Sequence, residues 1–262
     1  MKNSNHEDPS TSLRAGTETR RINFSAVDGR PTLKDGEVHV WLADLNRPDL
    51  TEAAREILTP AEIERGHRYR FERDQTWFFA RHFFLRALLS RYLDQRASIF
   101  DIRHSAHGKP YLDGHPLYFN LSDSNGWCLL AFTRVAPLGV DLEHVRERGD
   151  LMAVARRYFS PAEFAELEKL PSEEQLDGFY HIWTQKEAFI KAVGEGMSIP
   201  LDSFDVEMEP GQPGGIRAIR GTRSGRWAMR TFVPREGFRG AVCVGGEVKS
   251  VKFFNREERE GR

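Results

Sequence analysis

Leu58-Thr59-Pro60-Ala61-Glu62-Ile63 returns 101 residues later as Phe159-Ser160-Pro161-Ala162-Glu163-Phe164. In each copy a hydroxyl residue is followed by proline and, three places on, by glutamate. Such a triplet starts a helix: the hydroxyl accepts an orphan N–H, proline suits the first turn, and glutamate reaches back to close a capping box. The same shift carries Phe78-Phe79 to Phe179-Tyr180 and Ala87-Leu88-Leu89 to Ala188-Phe189-Ile190. An apolar run precedes each copy, Val38-His39-Val40-Trp41-Leu42 before the first and Leu138-Gly139-Val140-Asp141-Leu142 before the second. A shift shared by separated stretches points to an internal duplication.

Each copy then carries a long helix. Over 76–93, Trp77, Ala80, Phe84 and Leu88 make one apolar face; over 178–193, Phe179, Ile182, Phe189 and Val193 do the same, and Gly194 and Gly196 supply a stop. Strand pairs close both halves. Tyr118–Leu121 and Trp127–Phe132 flank a turn at Ser122–Gly126, and Trp227–Phe232 and Gly240–Val244 flank a Pro/Gly turn. The expected fold is α+β, a pseudo-two-fold pair of similar subdomains, each a small antiparallel sheet packed with helices. The expected division is a flexible tail at 1–34, subdomains at 35–136 and 137–250, and a solvated end at 251–262.

Composition narrows the class. Among 262 residues, 38 Lys and Arg face 39 Asp and Glu, a net charge of −1. A protein that lives on nucleic-acid phosphate wants a basic excess. No apolar run reaches the length of a membrane span and the N-terminus lacks a secretory pattern, so a cytoplasmic protein is expected. Cys128 and Cys243 are too few for a disulfide framework.

The chemistry sits where the copies differ. Asp141 and Glu143 project from one face of the second strand, where the 101-residue shift gives Val40 and Leu42 in the first. Trp183, Glu187 and Lys191 share one face of the second long helix; by the same shift, Lys186, Glu187 and Lys191 correspond to Leu85, Arg86 and Ser90. Clustered carboxylates with a nearby ammonium suit Mg²⁺ and phosphate. Separately, each has an ordinary reading, as a solvated sheet edge or a helix ion pair. The segment Ser105-Ala106-His107-Gly108-Lys109-Pro110 is a loop in which Gly permits close backbone approach, Lys offers a phosphate partner and Pro gives a flat wall. The stretch 55–103 holds ten Arg, no Lys and seven acidic residues, with Arg65, Arg68, Arg70 and Arg73 bunched before the first long helix.

In combination, His107-Gly108-Lys109-Pro110, Phe119-Asn120-Leu121-Ser122, Gly139-Val140-Asp141-Leu142-Glu143, Tyr158–Glu163 and the run Phe179–Ala192 resemble the 4′-phosphopantetheinyl transferases of the surfactin-synthetase-activating type, over about 37–206. The resemblance implies transfer of the phosphopantetheine arm of coenzyme A to a serine of an apo acyl, peptidyl or aryl carrier protein, releasing adenosine 3′,5′-bisphosphate. It implies coenzyme A as co-substrate, bound between the two subdomains, and Mg²⁺, or Mn²⁺ in its place, on Asp141, Glu143 and Glu187; since a pseudo-dimeric fold often suffices alone, a monomer is expected. Lys191 is expected on the pyrophosphate, Glu187 or a metal-bound water it orients as proton acceptor, and His107, Gly108, Lys109 and Pro110 beside the adenine. Asn120, Leu121 and Ser122 are expected to meet the phosphates, and Arg65 or Arg70 the 3′-phosphate. Asp123 departs from the family, which usually has a phosphate-binding His there; Asp123→His is expected to preserve or improve coenzyme A binding. The alternatives are an inactive coenzyme A- or carrier-binding relative and a Mg²⁺-dependent nucleotide phosphohydrolase.

Overall fold

A computed structural model describes residues 30–147, 149–209, 212–221 and 225–255. The first half runs β1 (Glu37–Asp44), α1 (Leu50–Ile57), α2 (Pro60–His67), α3 (Glu72–Leu93), a hairpin of β2 (Ile102–His104) and β3 (Pro110–Leu112), then β4 (Tyr118–Ser124) and β5 (Trp127–Thr133). The second half repeats that order with β6 (Leu138–His144), α4 (Leu151–Tyr158), α5 (Pro161–Lys169), α6 (Ser172–Val193), β7 (Phe204–Val206), β8 (Ile216–Ile219), β9 (Trp227–Phe232) and β10 (Phe238–Gly245). The antiparallel order β1-β5-β4 is mirrored by β6-β10-β9. The fold is α+β, two small antiparallel sheets with their helices.

Both capping boxes form. Thr59 and Ser160 accept from the amides of Glu62 and Glu163, whose carboxylates accept from the amides of Thr59 and Ser160. Each glutamate has a second task, anchoring the long helix. Arg86 Nε donates to Glu62 at 2.8 Å, and Lys186 Nζ lies 2.7 Å from Glu163 with both side chains fully buried. Removing one partner from so dry a pair leaves an uncompensated buried charge.

These anchors correct the register. The long helices α3 and α6 both have 22 residues and both end on a left-handed residue, Asp94 or Gly194. Their ranges are related by 100 residues, whereas the capping boxes are related by 101. The chain between α5 and α6 is one residue out of step with its counterpart. The counterparts of Lys186, Glu187 and Lys191 are therefore Arg86, Ala87 and Arg91, not Leu85, Arg86 and Ser90. Strand β6 follows the same rule. Val38, Val40 and Leu42 share one core with Leu138, Val140 and Leu142 between the sheets, so Trp41 and Ala43, not Val40 and Leu42, answer to Asp141 and Glu143.

Three further expectations change. The end expected to be solvated from 251 instead supplies β11 (Ser250–Asn255), which pairs in parallel with β1 and stacks Phe254 on Trp41 at 4.6 Å between centroids. Its apolar Val251, Phe253 and Phe254 explain the docking; 256–262 lie outside the described residues. Of the expected tail, 1–29 lie outside the described residues, but Leu33 packs on the first core and Arg30 pairs with Asp94 at 3.0 Å. The turn expected over Ser122–Gly126 contracts to Asn125-Gly126, both with positive φ (45° and 80°), as a two-residue hairpin demands. Ser122, Asp123 and Ser124 are thereby strand residues.

Candidate active site between the sheets

That last change builds the site. Strand β4 is the edge of one sheet and β6 the edge of the other. On β4, Asn120, Ser122 and Ser124 alternate onto one face, and this face stitches the edges together. Asn120 Oδ1 accepts from the Val140 amide at 2.9 Å, and Ser124 Oγ accepts from the His144 amide at 3.1 Å. Between them Ser122 Oγ donates to Asp141 Oδ1 at 2.9 Å, and Ser124 Oγ reaches Glu143 at 3.4 Å. Asn120 is thus a structural link, while Ser122 faces the acidic cluster.

Helix α6 closes the cluster from above. Gly139 lets it approach: a Cβ there would lie 2.1 Å from the Ala188 carbonyl and 2.3 Å from the Ala192 nitrogen. Lys191 Nζ then reaches Asp141 Oδ1 at 2.6 Å and Ser122 Oγ at 3.0 Å. Glu187 and Glu143 complete the field around that ammonium. Burial works against the charge on Lys191, but Asp141 and then Glu187 and Glu143 outweigh it and raise its pKa. Burial, followed by the negative charge of Asp141, lifts Glu143 to about 7 and also raises Glu187. Asp141, Glu143 and Glu187 thus act on one another and on Lys191 through a largely desolvated region. The second oxygen of Asp141, Oδ2, is buried with no hydrogen-bond partner.

This orphaned oxygen is the test of whether a hard cation fits. The donors are all oxygens, and Mg²⁺ is typically held by one or two carboxylates with waters and substrate phosphate filling the rest. Among the described residues no three His, Cys, Asp or Glu side chains are gathered as a self-sufficient metal cage.

One cavity adjoins the cluster at Lys191, and a second shares part of that cavity's wall. The smaller, about 210 Å³, is lined by His107, Gly108, Lys109, Pro110, Asn120, Leu121 and Lys191 among others. Gly108 closes the β2–β3 turn at φ +80° with open space around it, so it serves the backbone conformation. Lys109 turns to the end of α6, where Nζ donates to the Ala192 carbonyl at 3.0 Å; burial draws its pKa down to about 8. The larger cavity, about 440 Å³, shares Pro110 and Leu121 and is lined by Arg65, Arg81, His82 and Arg86. Arg65 therefore faces a cavity. Arg70 does not line it and instead lies 5.4 Å from the Phe71 ring centre.

Asp123 is paired with the guanidinium of Arg81, a residue sequence reasoning passed over. A signal existed: an acidic residue where a phosphate-binding His is usual asks for a compensating cation nearby. Ser124 falls within the expected turn, and only its strand alternation with Ser122 reveals its face. Lys186, though part of the quoted helix motif, belongs to the Glu163 anchor and donates to the carbonyls of Leu201 and Phe204 at 2.6 and 2.8 Å. Trp183 stacks on Phe179 at 5.7 Å and is likewise a packing residue.

Comparison with known proteins meets this geometry. Residues 137–243, from β6 to the middle of β10, match the 4'-phosphopantetheinyl transferase superfamily. The chain is 31% identical over 230 residues to the 4'-phosphopantetheinyl transferase HetI of Nostoc sp. (strain PCC 7120), spanning 86% of this chain and 94% of the relative. It is 32% identical over 191 residues to the 4'-phosphopantetheinyl transferase Sfp of Bacillus subtilis (strain 168), spanning 72% and 82%. A putative 4'-phosphopantetheinyl transferase of Synechocystis sp. (strain PCC 6803) is 33% identical over 162 residues, 61% of this chain and 65% of its own. With an acidic cluster and its lysine at the seam of a duplicated α+β fold, the chain belongs to the 4'-phosphopantetheinyl transferase superfamily.

Proposed function

We propose that the seam between β4, β6 and α6 is where this transferase moves the phosphopantetheine arm of coenzyme A to a carrier-protein serine. The observation that carries this reading is the buried, partnerless Asp141 Oδ2 beside Glu143, Glu187 and Lys191. In this reading the serine oxygen attacks the β-phosphorus, a new P–O bond forms, and the bond to the bridging oxygen breaks. Adenosine 3′,5′-bisphosphate leaves.

Each residue has a physical task. Lys191 lies opposite the charge that accumulates on the departing phosphate and is already fixed by Ser122 and Asp141. Asp141, Glu143 and Glu187 would hold Mg²⁺, or Mn²⁺, which supplies charge neutralisation on the pyrophosphate. Glu187, raised by burial, accepts the serine proton. The acceptor is assigned to a carrier of the acyl, peptidyl or aryl class, in holo-[acyl-carrier-protein] synthase chemistry, in the cytoplasm and by a monomer. No helix among the described residues is long and apolar enough to cross a membrane.

The test is intact-mass analysis of a panel of apo-carriers incubated with the protein, coenzyme A and Mg²⁺. A gain of one phosphopantetheinyl group with release of adenosine 3′,5′-bisphosphate supports the reading. Hydrolysis of coenzyme A with no gain on any carrier would favour a phosphohydrolase instead. Glu187→Gln is expected to lower turnover about 10²-fold or more at saturating Mg²⁺, and near-normal turnover would remove its role as base.

A further inference from the structure

Lys109 belongs to the first half but does its work on the second. Its backbone is fixed at both ends to Ser105: the Lys109 carbonyl accepts from the Ser105 amide at 2.9 Å, and the Lys109 amide donates to Ser105 Oγ at 3.2 Å. From this base the side chain crosses to helix α6, where Nζ donates to the Ala192 carbonyl at 3.0 Å. The stem runs beside Gly194, at which a Cβ would come 3.3 Å from Lys109 Cδ. Burial opposes the charge on Lys109, and among the described residues no carboxylate offsets it. Desolvating an ammonium for one carbonyl is costly. The cost is lessened only by where that carbonyl lies, in the last turn of α6, whose final carbonyls have no partner within the helix and whose end is the negative pole of its dipole.

The residue before Ala192 is Lys191, so the turn that Lys109 holds is the turn that carries the site's ammonium. That turn is gripped from two directions. Gly139 of β6 lets the α6 backbone come down onto the strand, and Lys109 holds its carbonyl end from the β2–β3 loop. Lys191 Nζ spans to Asp141 and Ser122 at 2.6 and 3.0 Å, and a shift of the last turn would alter both contacts together. We infer, resting on the transfer reading above, that Lys109 is a positioning residue: it clamps the last turn of α6 and thereby sets Lys191 against the transferring phosphate. In this assignment the Lys109 ammonium serves the helix and not the adenine expected beside its loop, whereas Gly108 and Pro110 remain on the cavity wall. The loop that lines the cavity and the helix end that carries Lys191 are then one mechanical unit joined across the two halves.

Lys109→Met keeps the apolar stem and removes the donor, and it is tested in the full chain by two independent readouts. Amide hydrogen exchange should quicken about tenfold over 190–194 while the start of α6 exchanges as in the wild type. In transfer to an apo-carrier, kcat should fall about tenfold while the dissociation constant of coenzyme A, measured by calorimetry, stays within about twofold. Lys109→Arg keeps a cationic donor and should recover most of both losses. Added to Lys191→Ala, Lys109→Met should lower kcat by no more than about twofold, because its effect passes through the ammonium already removed. Weaker coenzyme A binding with kcat unchanged would make Lys109 a ligand contact and overturn the assignment. Losses in kcat that multiply fully with those of Lys191→Ala, or exchange unchanged over 190–194, would overturn it too. If the wild type modifies no carrier, the transfer reading fails, and the exchange result alone then decides whether the clamp exists.

Discussion

The two halves of this molecule use the same scaffold and fill it in opposite ways. Where β1 runs beneath α3, His39, Trp41 and Tyr92 pack into one hydrogen-bonded aromatic cluster, with Tyr92 Oη 2.8 Å from both His39 Nδ1 and Trp41 Nε1. Their counterparts beneath α6, at the 100-residue shift, are Gly139, Asp141 and Ala192. One half spends its space on bulk. The other removes the bulk, draws the helix down onto the strand, and lines the join with carboxylates and Lys191. Meanwhile the anchor is kept in both, as Glu62–Arg86 and Glu163–Lys186. The lesson is that a duplicated domain can exchange an aromatic packing cluster for an acidic one without disturbing the contacts that hold its long helix.

The strongest way to break the comparison is to return bulk to the second half. Gly139→Val must push against the α6 backbone, and is expected to cost about 4 kcal/mol or more, read as a shift in the denaturant midpoint. His39→Ala at the matching place should cost only about 2 kcal/mol, because it leaves a cavity rather than a clash. Equal losses would mean that the helices sit equally close to their strands.

The anchors sharpen the same comparison. Glu163→Gln leaves Lys186 charged in a fully buried place and should cost about 3–4 kcal/mol. Glu62→Gln should cost about 1–2 kcal/mol, since Glu62 is 17% exposed and water can relieve Arg86. Denaturant melts of the two single variants give the ranking directly; the reverse order would contradict it.

Smaller still is an acid effect, with one histidine on each long helix. His181 on α6 and His82 on α3 both hold pKa values near 4, in each case through burial first and a neighbouring arginine, Arg239 or Arg81, second. In the unfolded chain each takes its proton near 6.5, so between about pH 6.5 and 4 the unfolded state binds more protons. Stability should therefore fall as pH drops through that window and level off below it. His181, almost wholly buried, should account for up to about 3 kcal/mol, and His82 for less. His181→Gln should flatten most of the slope in a series of melts against pH; an unchanged slope would locate the acid sensitivity elsewhere.

Much of this was legible in the sequence because local rules sufficed. The repeat of Thr59-Pro-Ala-Glu62 as Ser160-Pro-Ala-Glu163 marks two helix starts without any tertiary information, and strand alternation puts Asp141 and Glu143 on one face. The single-residue slip between the capping boxes and the long helices was not legible, because it is settled by which basic residue each buried glutamate accepts. A sequence shift of 101 pairs Arg86 with Glu187; the salt bridges pair Arg86 with Lys186. The docking of β11 was also hidden, since a short apolar run before a charged tail gives no clue to its partner strand. Arg81 escaped for a related reason: its meaning depends on Asp123, 42 residues away. The expected turn is too long because Ser, Asp, Ser and Asn are all turn formers, whereas the backbone needs only Asn125-Gly126 at positive φ.

On the proposed reading, transfer takes place at the acidic cluster of the second half. The most direct measurement follows the intact mass of an apo-carrier with coenzyme A and Mg²⁺, for the wild type and for Asp141→Asn, both confirmed as folded by their melts. The wild type should convert the carrier to the form heavier by one phosphopantetheinyl group, and Asp141→Asn should slow this about 10³-fold. Conversion by Asp141→Asn at the wild-type rate would contradict the claim and place the chemistry outside this cluster.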